Sequence, residues 1–443
     1  MLKQVDTPLF YGYLLFILIL PLPFGGDWPW AMAIYELIIF LLSAAWWWLY
    51  SRNAVELPVS FQKARIIYGI FLLWLAYIGL QLLPGSVLSV STHLTQSSWL
   101  MSLVYAQVFF LTLVLVNSRQ RIKQLAGTIV FSGVFQAMYG SLMTLSGLEY
   151  SFFIKKITYV GLATGTFYNR NHFAAWLVMC LAVGIGLMIS RLDTSAAGNW
   201  KQHMRRWIEL VFSPKLRLRL YLIMMVIALV LTHSRMGNTA FFASLFIAGG
   251  IGLLLSRHAT RGTVILLTSL IIIDLFIVGA WFGIDKVAER LEHTSVEGEE
   301  RTEVNDLAWQ QWQDHKWTGS GAGTFPVVFP AYRDQGISSF YKQAHNDYLQ
   351  FATEVGLVGV ILLAGIVLPS LVMAILAQYR RRDPLLRGMS FAAMMGIIAM
   401  LIHASVEFNF QIPPNAALFV VLLALCWISG FYKSTGGQSS GLQ

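Results

Sequence analysis

Apolar runs about as long as a membrane is thick recur along the whole of this chain. A helix that crosses the hydrocarbon core needs about 20 mostly apolar residues, and about twelve segments here meet that requirement. Of the 443 residues, 56% are hydrophobic and only 12% are charged, and the mean hydropathy is +0.62. These values lie far outside the range of soluble globular proteins. The sequence therefore predicts an all-α polytopic membrane protein.

The predicted spans lie near residues 8–24, 29–50, 65–83, 97–117, 124–146, 171–190, 218–234, 237–256, 262–282, 347–377, 388–404 and 414–432. Cys180 and Cys426 both fall inside spans, which does not indicate a disulfide framework. The first apolar segment lacks a small-residue cleavage site, so we interpret it as a first helix rather than a removable signal.

The distribution of Lys and Arg predicts the orientation, because cytoplasmic loops of membrane proteins carry an excess of both. With a cytoplasmic N-terminus, 21 of the 31 Lys and Arg residues lie inside. Six of the ten outside lie in one long loop, where charge has little topological weight. Both termini are therefore expected in the cytoplasm, and the net charge of +9 needs no nucleic-acid partner.

Two segments are longer than the other connections, and both fall on the predicted outer face. One is 147–170, and the other is 283–346, which combines a charged stretch of helical periodicity with the glycine-rich GSGAGTF. We expect short helices in the second segment, lying over the membrane surface. The predicted organisation is nine spans in 1–282, a large outer loop in 283–346, and three spans with a cytoplasmic tail in 347–443.

Polar residues cluster at the outer ends of several predicted helices. They include Asn169, Arg170 and His172 before the sixth span, His233 and Arg235 between the seventh and eighth, and Arg333, Lys342 and His345 at the end of the large loop. Ionisable groups at membrane depth are costly, so their position is informative.

Each of these residues also has a purely structural interpretation. Asn171, Asn346 or Asp347 can cap helices, Arg235 can anchor the helix at lipid phosphates, and a single histidine at a loop end is most often an ordinary surface residue. Asp274 is interpreted as buried and paired within the bundle. Glu354, Glu407 and Asn409 receive no role from the sequence, and the glycine-rich GSGAG offers either backbone donors or a flexible turn.

The cations share one depth, and the sequence shows no local acidic partner for them. Such a cluster predicts an anion site, and the planar guanidinium of arginine pairs well with phosphate oxygens. Outside the cytoplasm a biosynthetic enzyme needs an activated substrate, which a lipid diphosphate provides. The outer loops carry no Asp-x-Asp pair for a metal, so the arginines would stabilise the leaving diphosphate. A histidine suits the role of base toward a sugar hydroxyl, and His345, His172 and His233 are all candidates.

Four motifs resemble the bacterial O-antigen ligase superfamily, which also contains polysaccharide polymerases. They are NRNHFA at 169–174, HSRMG at 233–237, GSGAGTF at 319–325, and HNDYLQ with EVGLVG at 345–359. The resemblance covers about half of the chain, from the sixth span to the tenth. It implies a membrane glycosyltransferase of the GT-C kind in the bacterial inner membrane, with an active site that faces the periplasm.

Ligases of this superfamily move a glycan from undecaprenyl diphosphate to the lipid A–core oligosaccharide, without metal, ATP or other cofactor. The resemblance places the family's essential arginines at Arg170 and Arg235 and its essential histidine at His345. It implies that the arginines hold the diphosphate and that His345 activates the acceptor hydroxyl in an inverting attack. Arg333, Lys342, His172, His233 and Asn169 are possible secondary residues.

Three functions stay open at this point. The first is an O-antigen ligase. The second is a polymerase, for which Lys155, Lys156, Arg333 and Lys342 could hold a second lipid diphosphate. The third is a transporter of lipid-linked glycans, which we expect to bury its ionisable groups near the membrane midplane rather than at one face.

Overall fold

The protein is a bundle of long apolar helices, as seen in a computed structural model. The structure describes residues 5–26, 28–85, 87–191, 214–255, 268–269, 272, 295–333 and 341–433. The fold class predicted from the sequence is confirmed. Of the predicted ninth span, 262–282, only residues 268–269 and 272 are described, and Asp274 lies outside the described residues.

The described helices are numbered here in chain order. They are α1 (Thr7–Ile19), α2 (Pro29–Ser51), α3 (Val59–Gln81), α4 (Thr92–Leu115), α5 (Arg119–Ser146), α6 (Arg170–Ile189), α7 (Pro214–Leu231), α8 (Arg235–Leu255), α9 (Ser295–Asp314), α10 (Phe325–Val328), α11 (Asp347–Arg380), α12 (Pro384–His403) and α13 (Pro413–Phe431). A short hairpin pairs β1 (Tyr150–Ser151) with β2 (Ile154–Lys155).

Within the described residues, nine helices have the length and apolar composition to cross a membrane: α2 to α6, α8 and α11 to α13. The first predicted span is shorter than expected, because α1 ends at Ile19 and the chain then turns through a 3₁₀ segment at Phe24–Gly26. The 18-residue apolar windows of α6 and α13 are 94% and 89% buried, but that of α11 is only 22% buried. Helices α6 and α13 therefore form the centre of the bundle, and α11 presents apolar side chains to lipid.

The outer end of the bundle is defined here as the end at which α4, α6, α8, α11 and α13 begin. Short polar side chains start two of these helices. The Asn169 side chain accepts the Asn171 N–H at 2.8 Å, and Asn346 accepts the Leu349 N–H at 3.2 Å. These caps supply acceptors to backbone donors that have no partner within the helix. Asn346 is a cap as expected, but at α6 the cap is Asn169 and not Asn171.

Helix α11 is interrupted at Gly356, whose φ and ψ are 60° and −171°. Four backbone hydrogen bonds join this break to residues 316–321 of the outer loop. Ser320 and Gly321 donate to the carbonyls of Thr353 and Glu354, and Leu357 and Val358 donate to those of Lys316 and Trp317. The outer loop thus satisfies backbone groups that a helix break leaves without partners.

Candidate functional site

Arg170 is the first residue of α6 and lies half-buried at the outer end. Its guanidinium carbon stands 5.7 Å from the centre of the Tyr159 ring. Its Nε is buried and has no hydrogen-bond partner among the described residues. A buried donor without a partner costs free energy, so a group that accepts from it would be favoured here.

Arg235 holds the equivalent position at the start of α8. The preceding turn is fixed by Ser234, whose hydroxyl accepts the Gly237 N–H at 3.1 Å. Gly237 packs against α6 so closely that a Cβ added to it would lie 2.6 Å from the Cβ of Ala174. The first turns of α6 and α8 therefore touch, and each begins with an arginine at the outer end, where the positive ends of the helix dipoles also favour an anion.

His345 immediately precedes the cap residue of α11 and has a left-handed φ of 52°. This conformation is rare for a residue with a side chain and is kept only where the surroundings enforce it. The His345 side chain is 21% exposed, and its Nδ1 lies 3.4 Å from Glu407 Oε2, which is longer than a well-formed hydrogen bond. With Nδ1 directed at Glu407, Nε2 is the ring nitrogen left for a substrate.

Glu407 is the residue that joins the parts of the site. Its side chain is 3% exposed and lies between His345, Asn171 and Arg301. Asn171 Nδ2 donates to its Oε1 at 2.5 Å, and Arg301 Nη1 lies 3.4 Å from the same oxygen. Burial acts to raise the pKa of Glu407, but the proximity of His345 and Arg301 holds it below its ordinary value. Glu407 therefore stays a carboxylate at neutral pH.

The sequence did not reveal this arrangement. The sequence shows no local acidic partner for the outer-face cations, but the fold brings a distant one to His345, because Glu407 approaches it from a turn more than 60 positions along the chain. Lys156, which the polymerase hypothesis assigned to a second lipid diphosphate, has an ammonium that pairs with Glu149 at 2.9 Å and donates to the Leu162 carbonyl at 2.9 Å. In the sequence, the position at a predicted helix end is the only feature that distinguishes Glu407 from other acidic residues.

Phe408 separates His345 from a second histidine. The two imidazoles of His172 and His345 each contact the Phe408 ring edge-on, with centroid distances of 4.6 Å and 4.7 Å. His172 is buried, as is His403 nearby, whereas His345 retains an exposed fraction. His345 is therefore the most accessible of the three histidines near Glu407. His233, with a φ of 51°, lies half-buried in the turn before α8.

Asp347 fixes the turn that carries Glu407. Its N–H donates to the carbonyls of Ala404 and Glu407 at 2.9 Å and 3.2 Å. Its buried carboxylate accepts the Phe410 N–H at 3.0 Å and lies 3.5 Å from Gln411 Nε2. The start of α11 thus holds residues 404–411 against His345, so Asp347 is a cross-link between two segments rather than a helix cap.

The glycine-rich segment 319–325 does not offer backbone donors to a phosphate. Each N–H in it bonds to the protein: Gly319 to the His315 carbonyl, Ser320 and Gly321 to the carbonyls of α11, and Ala322 to Gln81. The Glu354 carboxylate accepts the N–H groups of Gly323 and Phe325 at 2.9 Å and 3.3 Å. This segment is therefore neither a set of free backbone donors nor a flexible turn, the two interpretations that the sequence allowed, because hydrogen bonds tie it to α11.

Arg333 and Lys342 are exposed residues on either side of 334–340, a stretch outside the described residues. Lys155 is exposed on the β-hairpin. In the part of the chain that the structure describes, no group of three or more His, Cys, Asp and Glu side chains is arranged to hold a metal ion.

The site therefore combines two arginines at adjoining helix starts with an accessible histidine that faces a buried carboxylate. Asn171 links the two halves, because it follows Arg170 in the chain and donates to Glu407. The first half suits an anion, and the second suits the removal of a proton from a weak acid.

Part of the chain matches a known protein family. Residues 220–364, about a third of the chain, match the family model described as O-Antigen ligase. The matched range contains Arg235, the outer loop and His345, and it begins after Arg170. No curated protein matches the chain.

Proposed function

We propose that this chain, of which residues 220–364 match the O-Antigen ligase family model, is an O-antigen ligase. It would transfer a glycan from undecaprenyl diphosphate to a hydroxyl of the lipid A–core oligosaccharide. The observation that carries this proposal is the His345–Glu407 contact beside the paired helix starts of Arg170 and Arg235. We also propose that the membrane is the bacterial inner membrane and that the site faces the periplasm.

The reaction follows from the two halves of the site. The acceptor hydroxyl oxygen attacks the anomeric carbon while the bond from that carbon to the diphosphate oxygen breaks. His345 Nε2 takes the hydroxyl proton, and Arg170 and Arg235 stabilise the charge that develops on the leaving diphosphate. Attack opposite the leaving group inverts the anomeric centre.

Glu407 acts in this scheme through His345. In the neutral ring, a carboxylate beside Nδ1 favours the tautomer that carries the proton on that nitrogen, which leaves Nε2 as the acceptor. It also stabilises the imidazolium that forms when Nε2 takes the proton. Glu407 is thus a positioning residue. It is held in turn by Asp347 at the start of α11, whose N–H donates to the Glu407 carbonyl, and by Asn171 at the start of α6, which donates to the Glu407 carboxylate.

The test is reconstitution of the purified protein with an undecaprenyl-diphosphate-linked glycan and, in turn, lipid A–core or a second lipid-linked glycan. We expect a product on lipid A–core, retained in excess EDTA. We expect His345→Ala to lose at least about 10²-fold in rate, the lower range for a general base, with an unchanged elution profile in detergent.

Several outcomes would count against the proposal. Normal turnover by His345→Ala would remove the base assignment, and strict dependence on added Mg²⁺ would contradict the role of the arginines. A product formed only on the second lipid-linked glycan would identify a polymerase. Transbilayer movement of the glycan without transfer would identify a transporter.

A further inference from the structure

A cavity of about 630 Å³ lies beside the candidate site, below residues 322–326 of the outer loop. Helices α3, α4, α11 and α13 form most of its walls, and α2 and α12 contribute one residue each. The side chains that line it are mostly apolar and include Phe71, Trp74, Met101, Val355, Phe419 and Leu423. Its size is typical of small-molecule sites, which range from about 300 to 1,000 Å³.

The cavity reaches from the outer end to about the middle of the membrane. It follows α13 from Pro413 to Leu423, and ten residues of helix span about 15 Å. This distance is about half of the 30 Å hydrocarbon core. Tyr348 and Leu368 also line it, and they are 50% and 55% exposed on the surface of α11. Along α13 the cavity is therefore about one leaflet deep, along α11 its lining extends from Asp347 to Leu368, and it meets the lipid-facing surface.

Most of the polar side chains lie near the top of the cavity, with Ser102 and Tyr105 of α4 deeper, and the acids at the top already have partners. Asp347 accepts from Phe410 and Gln411, and Glu354 accepts from Gly323, Phe325 and Gln350. A sugar that entered would find few free partners, and its hydroxyl groups would lose their hydrogen bonds to water. A hydrocarbon chain loses nothing in this way, so the lining favours such a chain.

The top of the cavity adjoins the proposed base. Gln343 and Asp347 both line it, and each lies two residues from His345. Among the described lining residues, none belongs to α6 or α8, the helices that begin with Arg170 and Arg235. The cavity and the arginines are therefore separate parts of the structure that both adjoin His345.

We propose that this cavity holds an acyl chain of the lipid acceptor. The inference rests on the proposed function, because it uses His345 as the base for an acceptor hydroxyl. In an inverting transfer the acceptor approaches from the side of the base, opposite the leaving diphosphate. A lipid whose tail lies between α3, α4, α11 and α13 emerges next to His345, while the diphosphate of the donor occupies the arginine side.

The first test fills the cavity. Ala416 and Ala364 both line it, whereas Ala76 on α3 is exposed and does not. We expect Ala416→Phe and Ala364→Phe to lower kcat/KM for lipid A–core by at least about 10-fold, equivalent to about 1.4 kcal/mol. The KM for the undecaprenyl-linked donor and the turnover of an O-deacylated acceptor are expected to stay unchanged, and Ala76→Phe is expected to match the parent protein throughout.

A rise in donor KM in both filling variants would assign the cavity to the polyprenyl chain and overturn the proposal. Equal turnover of acylated and deacylated acceptors by parent and filled proteins would also overturn it. Ala364 is half-exposed, so Ala364→Phe keeps the test valid if Ala416→Phe fails to fold.

A second test does not depend on catalysis. Lipid A with a diazirine in an acyl chain is photolysed with the parent protein and with His345→Ala, and labelled peptides are mapped. We expect label on α4 and α13 in both proteins, displaced by lipid A and not by undecaprenyl phosphate. A phosphatidylethanolamine that carries the same diazirine is the control probe. If it labels α4 and α13 as strongly as the lipid A probe does, and lipid A does not displace it, the cavity is a site for bulk membrane lipid and the proposal is refuted. If labelling succeeds but no glycan is transferred, the proposed function fails while the acyl-chain site stands.

Discussion

At the scale of single residues, the acid–base pair His345 and Glu407 is the feature with the clearest chemical consequence. A histidine alone at a loop end is usually a surface residue. Here the left-handed backbone at His345 directs Nδ1 at a carboxylate that is 3% exposed. In the proposed reaction this carboxylate sets the orientation and the tautomer of the ring, and neither follows from the sequence motif.

Glu407→Gln is expected to lower kcat by about 10²-fold with little change in either KM, because general-base catalysis contributes about 10²–10⁴-fold. Glutamine keeps an acceptor for Asn171 but removes the charge that holds the His345 tautomer. The measurement is kcat at saturating donor and acceptor, with the midpoint of thermal unfolding as a check. Glu149→Gln, which breaks the distant Lys156 pair, is the control. An equal loss in that variant, or none in Glu407→Gln, would contradict the positioning role.

Arg235→Lys is expected to raise the KM for the donor by about 10- to 100-fold, since a hydrogen bond to a charged group contributes about 1.5–3 kcal/mol. Lysine keeps the charge but cannot bind two phosphate oxygens with a planar fork. Arg217→Lys is the matched control, because Arg217 is exposed on α7, away from the helix starts that form the site. Unchanged donor KM in Arg235→Lys would favour a simple anchor at the membrane interface.

At the scale of elements, the break in α11 explains two motifs at once. EVGLVG supplies the break at Gly356, and GSGAG supplies the loop that bonds to it. A Cβ on Gly356 would lie 2.3 Å from the Trp317 carbonyl carbon, and one on Gly319 would lie 2.2 Å from that of Glu354. Glycine is therefore required on both sides of this contact, and the outer loop is held beside His345.

Gly356→Ala is expected to destabilise the protein by about 1–3 kcal/mol from steric overlap, with a similar cost from its positive φ. Gly69→Ala is the control, because a Cβ there meets nothing within 4 Å. That change is expected to stabilise α3 by up to about 1 kcal/mol. Thermal unfolding in detergent measures the stability of both variants. Equal unfolding midpoints would show that the contact between Gly356 and the outer loop leaves room for a side chain.

At the scale of the whole molecule, the predicted orientation determines which compartment the site faces. The β-hairpin and residue 51 lie at opposite ends of the bundle, since α2 and α5 run between the two ends. Phe153→Cys places a thiol at a side chain that is 97% exposed, and Ser51→Cys places one at the end of α2. The native Cys180 and Cys426 are buried and should stay unlabelled.

We expect a membrane-impermeant maleimide to label Phe153→Cys in intact spheroplasts and to label Ser51→Cys only after permeabilisation. The physical reason is the excess of Lys and Arg in the segments predicted to face the cytoplasm. The parent protein gives the background. The reverse labelling pattern would place the site in the cytoplasm, where the need for a lipid-activated donor disappears.

The sequence by itself determined the membrane class, the positions of most helices and the polar residues at their outer ends. These follow from local properties, because a hydrophobic run of about 20 residues inserts wherever it occurs. It also identified His345, Arg170 and Arg235 as candidates through motifs. Helix ends such as the cap at Asn346 were predictable for the same local reason.

Only the tertiary structure decided which of these residues lie together. Glu407 reaches His345 from another helix end, Lys156 pairs with Glu149, and the glycine-rich loop bonds to α11 instead of a ligand. The cavity likewise has walls from helices in both the first and the last third of the chain. Contacts of this kind depend on how helices pack, and packing depends on the shapes of many side chains at once rather than on any local pattern.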